Sequence, residues 1–346
     1  SDAERKQINN AIDELVDWLK KNPNATLGEI LDKREKLNDQ IDPILAKAES
    51  RHNLEDYARE SKKRVDNDAA LAGLSQEEKK TISDATSNAL DWLAKNKNAT
   101  KGEIDLKKKE LEDQIEPLMK RSEKKQELEN YARDLKRRVA EDDKLASLSS
   151  AERAKIAAAA SEVLDFINKN PKATLSQLLE KEKIVKTIAD PLINKAESRH
   201  ALEEAVNNLQ KRLNEDDRLL SNITSSEKAT LNNAVKELND WLSKNPNATK
   251  GEIDQKKAEF DQKVKPIVDR VDQRIALEDF ANEAKRRLSE DEKLSSLSDS
   301  EKKKIEDATS SVLDFLAKNP NAPIHELAKR KKDAEDIVNP LVDKAT

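Results

Sequence analysis

Residues 89–120 read ALDWLAKNKNATKGEIDLKKKELEDQIEPLMK, and three markers in this stretch recur through the whole chain. The large aromatic after an Asp falls at Trp18, Trp92, Phe166, Trp241 and Phe315, with spacings of 74, 74, 75 and 74 residues. Prolines Pro43, Pro117, Pro191, Pro266 and Pro340 keep the same spacings, as do Asn22, Asn96, Asn170, Asn245 and Asn319. Self-similarity at a fixed period is the signature of a repeat architecture. The single extra residue lies where LNEDDRLLSNITSSE (213–227) replaces VAEDDKLASLSSAE (139–152), and a loop absorbs it. The repeats divide the chain into a two-helix partial repeat at 1–49 and full helical repeats at 50–123, 124–197, 198–272 and 273–346.

Each repeat reads as three helical segments. One opens on a Ser/Thr-x-x-Glu capping box, in which the hydroxyl accepts from the third amide and the Glu reaches back to the cap amide. The boxes are Ser1/Glu4, Ser75/Glu78, Ser149/Glu152, Thr224/Glu227 and Ser298/Glu301. The stripe Ile156, Val163, Leu164 and Ile167 has helical spacing. It stops at Lys-Asn-Pro, where Asn is expected to take a left-handed cap and Pro bars continuation. A second box follows at Thr26/Glu29, Thr100/Glu103, Thr174/Gln177 and Thr249/Glu252, with Pro323 in the last copy. Ile104, Leu111, Ile115 and Leu118 then form a bundle stripe.

Between Pro117 and Leu148 there is no Gly and no second Pro, while Leu128, Tyr131, Leu135 and Val139 continue the helical pattern. Pro117 is therefore expected to kink a helix without ending it. The last helix of one repeat then runs into the first helix of the next over about 45 residues, on the order of 67 Å. The fold expected is all-α, a tandem array of helical-bundle repeats sharing proline-kinked helices, as in a spectrin-like or solenoid rod. The rival geometry breaks the helix at each proline and hinges separate bundles there.

The repeat resembles the C-terminal helical lid of the seventy-kilodalton heat-shock chaperones. Ser50-Arg51, Leu54, Tyr57, Leu74-Ser75, Trp92-Leu93, Lys109-Glu110-Leu111-Glu112 and Pro117 carry the likeness in one repeat. Ser198-Arg199, Leu202, Trp241-Leu242 and Pro266-Ile267 carry it in another. The resemblance implies a compact helical bundle, here multiplied in tandem. It does not bring chaperone activity, because the lid does no chemistry itself and this chain has neither the family's ATPase domain nor its peptide-binding sandwich. Ala205 in place of Tyr, and Phe166 and Phe315 in place of Trp, make the aromatics read as interchangeable core.

Composition narrows the functional classes. Of 346 residues, 39% are charged and only 3% aromatic, so any core is thin and aliphatic. Net charge is −5 with the signs interleaved, which argues against a nucleic-acid or membrane-surface partner. No cysteine is present, which removes thiolate catalysis and disulfide frameworks, and four glycines leave no phosphate-binding loop. No long apolar segment spans a membrane. A start at Ser1 without Met implies a segment of something longer.

His52, His200 and His325 have no repeated polar partners, so no metal or catalytic site is assigned to them. The acidic runs Glu141-Asp142-Asp143, Glu215-Asp216-Asp217 and Glu290-Asp291-Glu292 are contiguous and Gly-free, unlike a calcium loop, and read as solvated helix ends. Of the sequons at Asn24, Asn98, Asn222 and Asn247, three end in a threonine already explained as a cap, and the pattern is lost at Lys172-Ala173-Thr174 and Asn321-Ala322-Pro323. Lys107-Lys108-Lys109 and Lys329-Arg330-Lys331-Lys332 are flanked by acids and read as solvent faces.

No catalytic residue, cofactor or small-molecule substrate is expected. The expected function is a non-enzymatic structural or scaffolding rod, part of a larger protein, that spans distance, bears load and extends elastically. The alternative is a multivalent array presenting helix faces to a protein partner. Expected partners are other proteins, self-association into filaments included, in the cytoplasm or cytoskeleton.

Overall fold

A computed structural model describes residues 1–345. The chain is 88% helical, with no strand among the described residues. The helices are α1 (Asp2–Lys21), α2 (Leu27–Asn67), α3 (Gln76–Lys95), α4 (Lys101–Glu141), α5 (Ser150–Lys169), α6 (Leu175–Glu215), α7 (Asp217–Ser221), α8 (Ser225–Lys244), α9 (Lys250–Glu290), α10 (Asp299–Lys318) and α11 (Ile324–Ala345). Each of α1, α3, α5, α8 and α10 has 20 residues, while α2, α4, α6 and α9 have 41.

Every long helix passes through its proline unbroken. Forty-one residues make about 61 Å at 1.5 Å each, a turn less than the sequence implied. A proline inside a helix removes one N–H and orphans the carbonyl four residues back. Here Pro43, Pro117, Pro191, Pro266 and Pro340 are all solvent-exposed, as are Asp39, Asp113, Thr187, Gln262 and Asp336, which carry those carbonyls. Water therefore takes the place of the lost donor, and the helix continues at modest cost.

The described residues fall into two compact units, Ser1–Glu141 with Arg153–Ala189, and Asp142–Glu152 with Asp190–Thr346. In the first, α2 packs on α1 and also on α3 and α4. Its second half sends Leu54, Ala58 and Val65 into a core with Ile82, Ala89 and Leu93 of α3 and Ile104, Leu111 and Ile115 of α4. A single 3-10 turn at Ala69–Leu71 drops Leu71 into that core, fully buried. Asp68 opens the turn by accepting from the Ala70 amide (2.9 Å), and Ser122 Oγ donates to the Ala70 carbonyl (3.2 Å).

In the second unit, α9 serves two cores in succession. Ile253, Phe260, Val264 and Val271 join Leu202, Val206, Leu231 and Leu238, and then Leu277 and Ala281 join Val312, Leu316 and Leu327. The change of partner falls between Val271 and Leu277, more than a turn past Pro266. The extra residue of this repeat lengthens the connecting turn into α7, which Asn222 closes by donating Nδ2 to the Arg218 carbonyl (2.8 Å).

The caps hold with one correction. Both capping-box bonds form at Ser1, Thr26, Ser75, Thr224, Thr249 and Ser298, and Gln177 supplies the amide version at Thr174. The repeated asparagines, however, are not left-handed. Among the described residues none has positive φ, and Asn96 sits at φ −108°, ψ 61°. Each Asn instead turns its side-chain amide back onto the carbonyl of the repeat aromatic four residues earlier, at 2.8 to 2.9 Å. A side-chain donor thus does what the left-handed backbone would have done.

Ile104→Ala removes a fully buried side chain and is expected to cost about 2 to 5 kcal/mol. Leu106→Ala, at an exposed position on the same helix, should stay within about 0.5 kcal/mol in urea unfolding. Pro117→Ala restores a donor to the Asp113 carbonyl and should stabilise the chain by about 1 to 3 kcal/mol. A lower melting temperature for that variant would mean that the bundle needs the proline.

Candidate functional site, a repeated junction of capped helix ends

The third residue of each short helix works twice. In the second copy, Ser75 N donates to Glu78 Oε2 (2.8 Å) and Glu78 N donates to Ser75 Oγ (3.2 Å), which closes the capping box. The other oxygen, Glu78 Oε1, takes the guanidinium of Arg121, 43 residues on. The same tie joins Glu4 to Lys47 and Glu152 to Lys195, Glu227 to Arg270 at 3.1 Å, and Glu301 to Lys344 at 2.6 Å. It pins the start of each short helix to the following long helix just beyond the proline. Arg270 is buried and also donates to the carbonyls of Asn222 (3.1 Å) and Pro320 (3.4 Å).

The carboxylates respond as this geometry requires. The hydrogen bond from Lys47, then the N-terminal ammonium and Ser1, hold Glu4 at about 2. Lys344 and then the Ser298 amide do the same for Glu301, also at about 2. Burial pushes Glu152 up, but Lys195 and Ser149 together outweigh it and leave it below the ordinary range.

A second recurring contact closes the opposite ends of the short helices. Arg199 forks onto the carbonyls of Leu242 (2.7 Å) and Asn245 (2.8 Å), and Arg274 onto those of Leu316 (2.6 Å) and Asn319 (3.0 Å). Arg51 holds Leu93 and Asn96 in the same way. Each fork satisfies two last-turn carbonyls and sets a positive charge at the negative end of the helix dipole.

Four of the repeated aromatics flank the core, and the fifth, Phe315, is part of it. Trp18, Trp92, Phe166 and Trp241 are half-buried, and only Phe315 is buried. A cation lies over the outer face in four copies: Lys33 over Trp18 (5.3 Å), Lys181 over Phe166 (5.2 Å), Lys256 over Trp241 (5.9 Å) and Arg330 over Phe315 (4.4 Å). Such pairs contribute about 0.5 to 1 kcal/mol when exposed. Lys107, at the equivalent place in the second copy, pairs with Glu110 instead (3.0 Å). Tyr57, by contrast, is raised to about 12, first by burial and then by Glu116 and Glu112.

Most of the remaining candidates make local contacts. In the acidic runs, Asp142 accepts from Lys144 N (3.0 Å), Asp216 from Leu219 N (3.0 Å) and Asp291 from Lys293 N (3.1 Å), each capping a short turn. No three His, Cys, Asp or Glu converge as a metal site among the described residues. The equivalent His52 and His200 do share a repeated polar partner, contrary to the expectation, since an acid four residues on meets each, Asp56 (3.1 Å) and Glu204 (3.5 Å), while His325 is exposed near the start of α11. Sequon threonines Thr26, Thr100, Thr224 and Thr249 are the caps already described. Lys107, Lys108 and Lys332 pair with acids three or four residues away. A cleft of about 430 Å³ between Tyr57, Arg64, Glu116 and Glu123 is open, and its Arg64 already pairs with Asp68 (2.9 Å) and Glu123 (2.5 Å).

The cations of these long-range ties recur in register in the sequence. Positions 47, 121, 195, 270 and 344 are Lys, Arg, Lys, Arg and Lys, and positions 33, 107, 181, 256 and 330 are basic in every copy. Among so many charges, only a repeat-by-repeat comparison separates these cations from solvent-face lysines.

A carboxyl held at about 2 in the folded state, against an ordinary 4.5, favours folding fully above pH 4.5 and loses that contribution as pH falls through about 2. Urea midpoints should therefore fall across this window more steeply for the parent than for Glu301→Gln, and the two should converge near pH 2. Added salt should shrink the difference, because the pair is exposed. Parallel curves at all pH values would mean that the tie does not form.

No protein-family model matches the chain, and no solved structure matches it. No helix among the described residues is long and apolar enough to cross a membrane. Over 78 residues the chain is 35% identical to luminal-binding protein 3 of Nicotiana tabacum, a stretch covering 22% of this chain. The chain spans about half the length of that curated relative, 46%. The likeness extends over little more than one repeat, and a stretch of this chain is thus similar to a protein of the seventy-kilodalton heat-shock family.

Proposed function

We propose that the chain is a non-enzymatic structural or scaffolding rod whose repeats correspond to the helical lid of the seventy-kilodalton heat-shock chaperones. The observation that carries this reading is the sharing of long helices. Helix α2 packs on α1 as well as on α3 and α4, and α9 packs on α8 as well as on α10 and α11. A helix common to two bundles gives a stiff junction with no loop to hinge, and repeats joined this way extend along one direction. The residues held constant between copies also favour a spacer over the alternative, a multivalent binding array. They are caps, prolines, core positions and inter-helix ties, whereas a binding array would preserve an exposed patch.

Load bearing and elasticity follow from the same design. Unfolding one 74-residue repeat frees up to about 260 Å of chain at roughly 3.5 Å per residue. Cytoplasmic or cytoskeletal placement belongs to this proposal. Small-angle X-ray scattering tests it, with a maximum dimension above about 150 Å and a rod-like cross-section expected for stacked long helices. A compact particle of about 70 to 80 Å, the size of a globule of this length, would overturn the rod and leave the binding array as the better reading.

A further inference from the structure

Asn222 is the extra residue of the repeat read at 198–272. It falls between Ser221 and Ile223, where the preceding copy runs from Ser147 straight to Leu148. With it the connecting turn becomes the five-residue helix α7, whereas Ala69–Leu71 and Asp143–Leu145 are three-residue 3-10 turns. Asn222 closes α7 by donating Nδ2 to the Arg218 carbonyl, which leaves its own two oxygens to accept.

Helix α9 takes both oxygens. Arg270 Nη2 donates to the Asn222 carbonyl (3.1 Å), and Arg274 Nε donates to Asn222 Oδ1 (2.7 Å). The two arginines lie one turn apart at the change of core between Val271 and Leu277. Arg270 is tied to Glu227 of its own repeat and reaches forward to the Pro320 carbonyl (3.4 Å) of the next. Arg274 forks onto Leu316 and Asn319 of its own repeat and reaches back to Asn222. Each arginine thus serves its own bundle and makes one bond into the neighbouring one. Arg218 adds a further crossing from α7, with its guanidinium on both carboxylate oxygens of Asp279 (3.0 and 2.7 Å).

The counterparts of these residues are used differently. Arg199, at the place of Arg274, turns its Nε onto Glu203 of its own helix (2.9 Å). Ala70, at the place of Arg218, has no charge to offer, and Glu204, at the place of Asp279, meets His200.

We infer that α7 and Asn222 form a clasp that couples the repeats read at 198–272 and 273–346 into one unfolding unit. Arg270 is buried, and a buried guanidinium stripped of its acceptors is costly. Opening either bundle would take acceptors from an arginine that the other bundle holds in place. In a tandem array, stability is a sum of repeat and junction contributions, and these bonds strengthen one junction selectively. The coupling does not rest on the rod, since two clasped bundles unfold together whatever the shape of the particle.

The test is native-state hydrogen exchange of the full chain along a urea gradient, read at residues 231–242 of α8 and 305–316 of α10. In the parent, the slowest amides of the two helices are expected to share one urea dependence, as members of a single cooperative unit do. Asn222→Ala, a change confined to the first of the two repeats, should speed exchange in α10 about three- to tenfold. Arg218→Ala, which breaks an exposed pair, should do so about two- to fivefold. Circular dichroism confirms that both variants are folded. Separate urea dependences in the parent would overturn the coupling. So would faster exchange in α8 alone on Asn222→Ala, because the clasp would then act only within its own bundle. Scattering by the parent reports the rod independently of either result.

Discussion

A helix that serves two cores has to stay one helix, and the rest of this structure depends on that constraint. Helix α9 turns its apolar stripe toward one set of partners up to Val271 and toward another from Leu277. A loop between them would separate the bundles, and an unrelieved proline would break the helix. The proline is tolerated because it sits outward in every long helix, where water replaces the missing donor. In α9 the proline lies between Val264 and Val271, within the span of the first stripe but on the solvent face, so any local distortion falls outside the apolar contacts.

With so little aromatic and aliphatic surface to bury, the bundles rely on polar contacts that recur in register. The glutamate at the third position of each short helix satisfies a cap amide with one oxygen and a distant cation with the other. The arginine forks complete the far ends of α3, α8 and α10. No single surface ion pair contributes much, but each of these also satisfies a helix end that would otherwise depend on water. In four of the five copies the aromatic extends the same economy, packed against the core with an ammonium or guanidinium group over its ring.

Much of this was legible in the sequence, and the parts that were not share a cause. Helix type, the capping boxes and the passage through Pro117 follow from local rules acting over a few residues, so the sequence carries them openly. The asparagine caps were located correctly but given the wrong geometry, because a left-handed backbone and a side-chain amide folded back onto a carbonyl satisfy the same orphan group. Trp92 and its counterparts were placed in the core on hydrophobicity alone, though their offset from Leu93 and its equivalents turns one ring face outward. The pairing of Glu78 with Arg121 lies 43 residues apart in a chain with 39% charged residues, where only tertiary structure selects the partner.

The short span of these contacts bears on how the chain acquires its structure. In the core built on Leu54 and Met119, all partners lie within 65 residues. Contacts of such low order form quickly, and each bundle can close as its own residues leave the ribosome, before the next is synthesised. Neighbouring repeats of nearly the same pattern are prone to exchange helices, a known failure of tandem arrays. The cation of the preceding repeat lies nearer each such glutamate, 31 or 32 residues before it, but synthesis from the N-terminus leaves it already paired with the glutamate of its own repeat. The order of synthesis, and not proximity in sequence, thus keeps each helix with its own bundle.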